Sequence, residues 1–338
     1  MNKVLVTGGT GLVGAHLLYY LAKQGISLVA IKRKNSNTKN VKKIFNYYSS
    51  EGDVLYNKID WQECDILDFI KLNTIIKNVS IVYHCAALIS FNKALKNKMI
   101  ETNATGTANI VDLSLEHNIH KICYVSSIAT LGSNYNLAID ETCWWDWKNQ
   151  SSYAISKYLA EIEVWRGFNE GLSGFIVNPS LIIGPGIWHS GFGTIIKKAR
   201  LGSPFYPPGQ CGIIDVNDLV GIMIKLMQNN TTNERFIINS EHWSYQNLMG
   251  IIAKQFNKKP PRIKLKKWML KVLITIDVFW CKLNRNKIEL STDAIKYTTN
   301  EILLNTAKIN NTIKYDYQDI RLALKKYTSI FIKEQLGN

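Results

Sequence analysis

The sequence predicts an α/β protein, a doubly wound parallel sheet with a smaller lobe at its C-terminal end. Three observations predict this fold class. Short β-branched runs alternate with helix-period segments through the first half of the chain, and the links between them are short. Such alternation gives a parallel sheet with helices on both faces, because its crossovers are right-handed. After Pro179, glycine and proline punctuate residues 184–212, which indicates long loops beside a site.

The elements of the first half follow in order from their apolar spacing. Residues 3–7 form a buried strand, and residues 11–24 form a helix that Gly25 ends. The further strands are predicted at residues 27–31, 57–63, 80–85, 121–126 and 174–178. The further helices are predicted at about residues 39–49, 93–118 and 151–171. The second half predicts shorter elements, at residues 216–227, 235–239 and 245–256.

The net charge of +15 comes from two separate stretches of the chain. Residues 1–50 carry eight Lys or Arg and no acid, and residues 258–287 carry ten against one acid. The rest of the chain sums to −2, so a nucleic-acid-binding surface is not expected. Residues 258–287 surround an apolar run that is too short to span a bilayer. We expect this run to pack on the core rather than to lie on a membrane surface.

Composition excludes several other classes. With 46% hydrophobic and 20% charged residues the chain can bury a core, which excludes disorder. No apolar run reaches the roughly 18 residues of a spanning helix and no signal peptide is visible, so we expect a cytoplasmic protein. The six cysteines form no CxxC pair, and no cluster has metal-ligand spacing. This usage predicts reduced thiols and no metal site.

A glycine-rich segment, TGGTGLVG, connects the first strand to the first helix at residues 7–14. In that context glycine lets the backbone approach a pyrophosphate, and the helix N-terminus presents free N–H groups to it. Two registers are open, since either Gly8 or Gly9 can precede the other two glycines. The residues expected to contact the phosphates are Gly8, Gly11, Leu12, Val13 and Gly14.

The residues at the end of the second strand determine the preference between NAD and NADP. An NAD-preferring site places an acid there, about 20 residues on, to bind the ribose 2′-hydroxyl. This chain has no acid before Glu51 and offers Lys32, Arg33 and Lys34 at that place. A planar guanidinium suits a 2′-phosphate, so we predict NADP in preference to NAD.

A tyrosine and a lysine suggest the chemistry. Tyr153 and Lys157 lie four residues apart in a predicted helix, so they share one face. A cation one turn away favours the phenolate form, which suits Tyr153 to move a proton at a carbonyl or an alcohol. The pair follows a strand that ends in hydroxyls, with the sequence YVSSIATLG at residues 124–132.

In this order and spacing, these three features resemble the extended short-chain dehydrogenase/reductase superfamily, in its NAD-dependent epimerase/dehydratase group. The resemblance covers about residues 1–260 and implies a Rossmann fold. Further landmarks agree with it: HCAA at residues 84–87, CDI at 64–66, Asn103, NPS at 178–180 and GPG at 184–186. Members of the family often dimerise through two long helices, so the resemblance implies a homodimer.

The resemblance also implies a role for each matched residue. Tyr153 is the acid/base, Lys157 holds the nicotinamide ribose and tunes Tyr153, and Ser127 hydrogen-bonds the substrate oxygen. Asn103 matches an active-site asparagine, and a purely structural role is its alternative. Beyond the glycine segment, the expected cofactor contacts are Arg33, Asp65, Ala86, Ala87, Lys157 and Asn178.

Three reactions run on this scaffold. Dehydratases of the family resemble one another in an Asp-Glu pair after the active-site hydroxyl, where this chain has Ile128 and Ala129. Reductases that resemble dihydroflavonol reductase carry a basic residue after the second strand, as Arg33 is here. We therefore favour an NADP-dependent reductase of a small ketone or aldehyde, with a nucleotide-sugar epimerase or epimerase-reductase as the alternative. A non-enzymatic NADP sensor or peripheral membrane protein is disfavoured by the intact catalytic residues.

In this interpretation, residues 1–180 are the NAD(P)-binding domain. Residues 181–338 are mainly the substrate-binding lobe, with some segments returning to the first domain. Candidate pocket residues stand in the intervening loops, although packing within the loops is the favoured interpretation for each. They are Ser90, Phe91, the tryptophan-rich residues 144–147, Trp188, His189, Phe205 and Tyr206.

Overall fold

The computed structural model describes residues 3–90, 92–132, 138–148, 150–266, 269, 299 and 301–336. The strands are β1 (Val4–Thr7), β2 (Leu28–Lys32), β3 (Ile59–Glu63), β4 (Ile81–His84), β5 (Lys121–Val125), β6 (Gly174–Pro179), β7 (Leu181–Ile183), β8 (Phe205–Tyr206), β9 (Gln210–Asp215), β10 (Glu234–Ile238), β11 (Glu241–Ser244) and β12 (Ile263–Lys264). The α-helices are α1 (Leu12–Lys23), α2 (Lys39–Tyr48), α3 (Gly52–Tyr56), α4 (Phe69–Ile76), α5 (Lys96–Ile100), α6 (Gly106–Glu116), α7 (Ser152–Asn169), α8 (Phe192–Arg200), α9 (Val216–Gln228), α10 (Tyr245–Gln255), α11 (Ala307–Thr312) and α12 (Ile320–Leu336).

Seven parallel strands form the main sheet, in the order β10-β6-β5-β4-β1-β2-β3. The order reverses at β1, which pairs with β2 on one side and β4 on the other. In a doubly wound sheet, the carboxyl ends of the strands beside such a reversal border the ligand crevice. The predicted fold class is therefore confirmed, and the segments that follow β1, β2, β4 and β5 meet at one edge.

The core lies in two apolar layers, one on each face of this sheet. Side chains alternate along a strand, so in β1 Val4 and Val6 enter one layer and Leu5 the other. Helices α1, α2 and α9 cover the first face, where Phe45 is fully buried. Helices α4, α6 and α7 cover the second face, where Val164 is fully buried. Helix α7 is thereby fixed against the sheet along most of its length.

The smaller lobe has its own apolar core beside the sheet. Strand β9 lies between β7 and β11, and helices α8, α10 and α12 pack around this three-stranded sheet. The chain then returns to the main sheet, because β10 pairs in parallel with β6 and α9 packs on α1. Residues 216–238 thus stand next to the first domain, although they follow the predicted boundary at residue 180.

The helix predicted at 93–118 is not continuous. Short helical turns at 93–100 lead into a π-helical turn at Glu101–Thr105, and α6 continues from Gly106. The Thr107 hydroxyl donates to the carbonyl of Asn103 at 2.5 Å, which occupies an acceptor of the regular helix ladder. Turns of this kind often mark functional positions, and this one contains Asn103.

The predictions on membrane spans, metal sites and cysteines can be compared with the described part of the chain. Within it, no helix is long and apolar enough to cross a bilayer, and no group of three or more candidate ligands could hold a metal ion. The five cysteines described there are free thiols. Most of the apolar run inside 258–287 lies outside the described residues, so its packing stays a prediction.

Candidate active site

The glycine segment forms a tight turn between β1 and α1. Gly8 takes a φ of +66°, and a Cβ there would lie 2.6 Å from the backbone nitrogen of Ala86. A Cβ on Gly14 would lie 2.8 Å from the carbonyl carbon of Gly8. Helix α1 begins after Gly11 with no side-chain cap and no acid in its first turn. Its first N–H groups therefore have no side-chain cap, and together with the positive end of the helix dipole they suit a phosphate.

The other predicted cofactor contacts gather around this turn. Ala86 and Ala87 follow β4, next to Gly8. Arg33 is exposed directly beyond β2, the neighbour of β1, at the same edge of the sheet. Asp65 follows β3, and its Oδ1 accepts from the backbone nitrogen of Leu67 at 3.1 Å. The structure thus brings these predicted residues to one side of the crevice.

Helix α7 carries the tyrosine and the lysine. Ser151 caps it by accepting from the nitrogen of Ala154 at 3.0 Å, so Tyr153 lies in the first turn, where it is partly buried. Lys157 is 2% exposed, and its Nζ donates to the carbonyl of Val125 at 2.8 Å. The same Nζ lies 4.3 Å above the centre of the Tyr124 ring.

Burial controls the charge of Lys157. Loss of solvation lowers the pKa of Lys157 to about 7, and the nearby charge of Glu161 opposes that shift. The ammonium of Lys157 is therefore easily neutralised in the protein without ligand. Any group that brings negative charge to this place, such as a phenolate, favours the charged form of Lys157.

Ser127 stands at the end of β5, two residues beyond the carbonyl that holds Lys157. It opens a 3₁₀ turn, and its Oγ accepts from the nitrogen of Ala129 at 3.1 Å. That bond uses an oxygen lone pair, so the hydroxyl keeps its hydrogen for a substrate oxygen. The Ser127 carbonyl accepts from the Asn178 side chain at 3.2 Å, which fixes the backbone that carries the hydroxyl.

Asn103 joins two segments of the site. Its Oδ1 accepts from the nitrogen of Leu88 at 2.6 Å, and its Nδ2 donates to the Leu88 carbonyl at 3.0 Å and to Ser156 Oγ at 2.9 Å. Ser156 Oγ in turn donates to the carbonyl of Tyr153 at 2.8 Å. These bonds give Asn103 a structural role beside Tyr153, and its direct catalytic role stays a prediction.

His84, which the sequence indicates only as part of the HCAA landmark and without a role, is buried and connects the glycine segment to the π-helical turn. Because Thr107 Oγ1 donates to Asn103, it accepts from His84 Nε2 at 2.9 Å. His84 Nδ1 then accepts from Thr7 Oγ1 at 2.7 Å, and Thr7 accepts from the nitrogen of Ala86 at 3.1 Å. Burial lowers the pKa of His84 to about 3, so the ring is neutral with one fixed tautomer.

The remaining candidates have structural environments. Asn178 is fully buried, and its Nδ2 also donates to Thr130 and Glu161, so its contact with a cofactor stays a prediction. Trp188 packs edge-on against Phe331 and its Nε1 donates to Glu334 at 2.6 Å, which places it in the core of the lobe.

The loop before α7 packs against that helix. Trp145 stacks on Tyr158 with ring centres 4.2 Å apart, whereas Trp144 is 92% exposed. Packing on the helix thus accounts for Trp145 without a ligand. Phe91 lies outside the described residues.

The sequence profile of the NAD dependent epimerase/dehydratase family matches residues 4–239. The chain belongs to this family. It is 26% identical over 254 residues to the dihydroflavonol 4-reductase of Dianthus caryophyllus, covering 71% of this chain and 69% of that protein. It is 24% identical over 269 residues to cinnamoyl-CoA reductase 1 of Petunia hybrida, covering 76% of this chain and 78% of that protein.

Solved structures show the same fold. The UDP-glucose 4-epimerase of Thermotoga maritima matches with a TM-score of 0.75 at 17% identity, covering 98% of this chain and 99% of that one. The predicted family and Rossmann fold are thus confirmed, and the protein is an NAD(P)-dependent enzyme of the extended short-chain dehydrogenase/reductase type.

The described residues suit the family's dinucleotide. The uncapped start of α1 suits a pyrophosphate, and the tight backbone packing at Gly8 and Gly14 requires glycine in the turn that leads to it. Tyr153 and Lys157 lie on α7, and the contact of Lys157 with a nicotinamide ribose stays a prediction.

Proposed function

We propose that this protein is an NADP-dependent reductase of a small ketone or aldehyde. The observation that carries the proposal is the junction between β5 and α7. There Lys157 is bonded to Val125, and Ser127 presents a hydroxyl two residues further on. The next side chains, Ile128 and Ala129, cannot transfer a proton, which disfavours a dehydratase.

The chemistry follows from the roles of three side chains. Bound NADPH would supply the hydride that reduces the carbonyl carbon. Ser127 and Tyr153 donate hydrogen bonds to the carbonyl oxygen, where negative charge develops. Tyr153 then gives its proton to that oxygen, and the ammonium of Lys157 stabilises the phenolate left behind. The product is the alcohol.

The preference for NADP is supported by the surroundings of β2. Arg33 and Lys34 are exposed beyond the strand, and no carboxylate precedes Glu51. We expect NADPH to bind more tightly than NADH, and Arg33→Ala to weaken NADPH about tenfold while NADH changes little. Calorimetric titration measures both affinities, with the exposed Arg200→Ala of α8 as the matched control. Equal affinities for the two cofactors in the wild-type protein would reject the preference.

A nucleotide-sugar epimerase is the second candidate, and the fold likeness to a UDP-glucose 4-epimerase favours it. The two activities differ in cofactor balance, because an epimerase returns its cofactor unchanged while a reductase consumes one NADPH per alcohol. Net oxidation of NADPH with carbonyl substrates supports the reductase. Epimerised sugar nucleotide without net oxidation would support the alternative.

Tyr153→Phe tests the assigned mechanism. It removes the proton donor and keeps the ring, so turnover should fall by about 10²–10⁴-fold, the usual weight of general acid catalysis. The dissociation constant of NADPH should change little. Turnover close to the wild-type value would reject Tyr153 as the acid.

We also expect a cytoplasmic homodimer that forms through α5, α6 and α7, by analogy with the family. Light scattering after gel filtration measures the mass directly, and a monomer at micromolar concentration would contradict this expectation.

A further inference from the structure

A buried carboxylate behind the catalytic residues has no part in the reaction as described so far. Glu161 lies on α7 one turn beyond Lys157 and two turns beyond Tyr153, and it is 2% exposed. A buried charge is costly unless it is paired and hydrogen-bonded, so its partners indicate what it does.

One oxygen of this carboxylate holds the segment around the catalytic serine. Glu161 Oε2 accepts from Ser126 Oγ at 2.6 Å, from Thr130 Oγ1 at 2.8 Å and from Asn178 Nδ2 at 3.0 Å. Ser126 and Thr130 flank Ser127 on either side, and Asn178 also binds the Ser127 carbonyl. Three side chains that surround Ser127 therefore meet at one carboxylate oxygen.

The other oxygen faces a buried cation on a distant strand. Arg235 of β10 donates to Glu161 Oε1 at 3.0 Å, and its side chain is 18% exposed. Arg235 also donates to the backbone carbonyl of Glu141, in the loop that leads to α7. Both oxygens of Glu161 thus have donor partners, as a buried carboxyl group requires. Such a buried ion pair is no better for stability than apolar residues of the same volume.

The carboxylate also lies one helical turn from the catalytic lysine, on the same face of α7. Glu161 supports the charged form of Lys157 against the cost of its burial. The other groups near Lys157 are Tyr153 one turn before it on α7, the ring of Tyr124, and the side chains of His84 and Cys85. His84 is neutral, and burial raises the pKa of the Cys85 thiol to about 12. Glu161 is therefore the carboxyl group that the helix places behind the ammonium of Lys157.

We propose that Glu161 is a positioning residue that holds the segment carrying the Ser127 hydroxyl and favours the ammonium form of Lys157. The proposal rests on the proposed function in that Ser127 and Lys157 act on the substrate. It goes beyond that function by assigning the geometry and the charge state of the site to one side chain behind it. Through Arg235, the same side chain ties the site to the loop before α7.

Glu161→Gln is the first test. The amide keeps the shape, but its NH₂ group must face either Arg235 or the three donors around Ser127. Turnover should fall by about 10²-fold, as misplaced catalytic groups do, while the KM for NADPH changes little. Activity at high pH is lost when Lys157 loses its proton, and removal of a negative charge makes that loss easier. The alkaline limb of the pH profile should therefore move to lower pH.

Matched variants separate positioning from mere stability. Arg235→Met breaks the ion pair and keeps the carboxylate, so the melting temperature falls but the alkaline limb does not move to lower pH. The double variant Glu161→Gln with Arg235→Met lacks the unpaired cation, so its melting temperature should be higher than that of Glu161→Gln alone. Its alkaline limb should still lie at lower pH than that of the wild-type protein. If Glu161→Gln fails to fold, Ser126→Ala combined with Thr130→Val should lower turnover and leave the limb in place. If the alkaline limb of the pH profile shifts in proportion to the loss of melting temperature across these variants, the proposal is overturned.

A measurement without substrate keeps this proposal distinct from the proposed function. Carbon NMR of the lysine side chains, with the Lys157 signal assigned by Lys157→Met, gives the titration of Lys157 in the cofactor-free protein. The midpoint should lie at lower pH in Glu161→Gln than in the wild-type protein, and equal midpoints would overturn the role of Glu161. If the wild-type protein reduces no carbonyl, the proposed function fails while this comparison still stands.

Discussion

The buried Lys157 makes the stability of the protein depend on pH in a calculable way. Burial lowers the pKa of Lys157 from 10.5 to about 7 in the folded protein. Between those two values the unfolded chain holds a proton that the folded chain has released. Stability therefore rises with pH in this window. The perturbation that isolates the effect is Lys157→Met, which keeps the long apolar stem and removes the titrating group.

The size of the effect follows from the same shift. A full proton difference changes the free energy of unfolding by about 1.4 kcal/mol per pH unit. Since Lys157 is half-protonated near pH 7 in the folded state, its contribution should grow by about 2 kcal/mol between about pH 7 and pH 9. The measured pH range ends at about pH 9 because tyrosines in the unfolded chain begin to titrate at about pH 10.

Urea unfolding of both proteins at the two pH values measures this contribution as the difference between wild type and Lys157→Met. The exposed Lys23→Met of α1 is the control and should show no such growth. A difference that is constant with pH, or that shrinks as pH rises, would refute the account of Lys157.

Three further predictions concern residues around the site. Gly14→Ala forces a Cβ against the Gly8 backbone, so the Kd for NADPH measured by calorimetry should rise about tenfold or more, while Gly250→Ala, with no neighbouring atom nearer than 3.6 Å, leaves it unchanged. His84→Phe leaves the buried hydroxyls of Thr7 and Thr107 without their shared partner and should lower the free energy of urea unfolding by about 3 kcal/mol. A loss under about 0.5 kcal/mol would contradict these two hydrogen bonds of His84. Trp188→Phe removes a bond to a carboxylate of α12 and should cost about 2 kcal/mol in the same assay. The exposed Trp144→Phe should stay within about 0.5 kcal/mol of wild type, and equal losses in both would argue against the contact.

The parts of the site that lie close in sequence could be predicted from it. The glycine segment follows a strand and opens a helix, which local spacing reveals, and Tyr153 and Lys157 are one helical turn apart. Ser127 required the resemblance to a family, because two adjacent serines offered the same chemistry. The structure separates them, since Ser126 is bonded to Glu161 while Ser127 heads the turn.

The parts that depend on long-range packing could not be predicted. Glu161 and Arg235 are 74 residues apart, and they meet only because β10 returns to the main sheet beside β6. His84 belonged to the HCAA landmark, but its link between Thr7 and Thr107 depends on residues that are far apart in the sequence. The π-helical turn at Asn103 arises from hydrogen bonds to Leu88 and Thr107, which helical periodicity does not report.

The most direct test of the reductase is to follow label from the cofactor to the product. NADPH deuterated at the nicotinamide carbon that donates hydride is incubated with the protein and a panel of small ketones and aldehydes. Mass spectrometry should then find one deuterium in each alcohol formed and one NADP⁺ per alcohol, and both should form at least about 100-fold more slowly with Tyr153→Phe. Unconsumed NADPH together with epimerised sugar nucleotide, or labelled alcohol at the wild-type rate from Tyr153→Phe, would contradict the account.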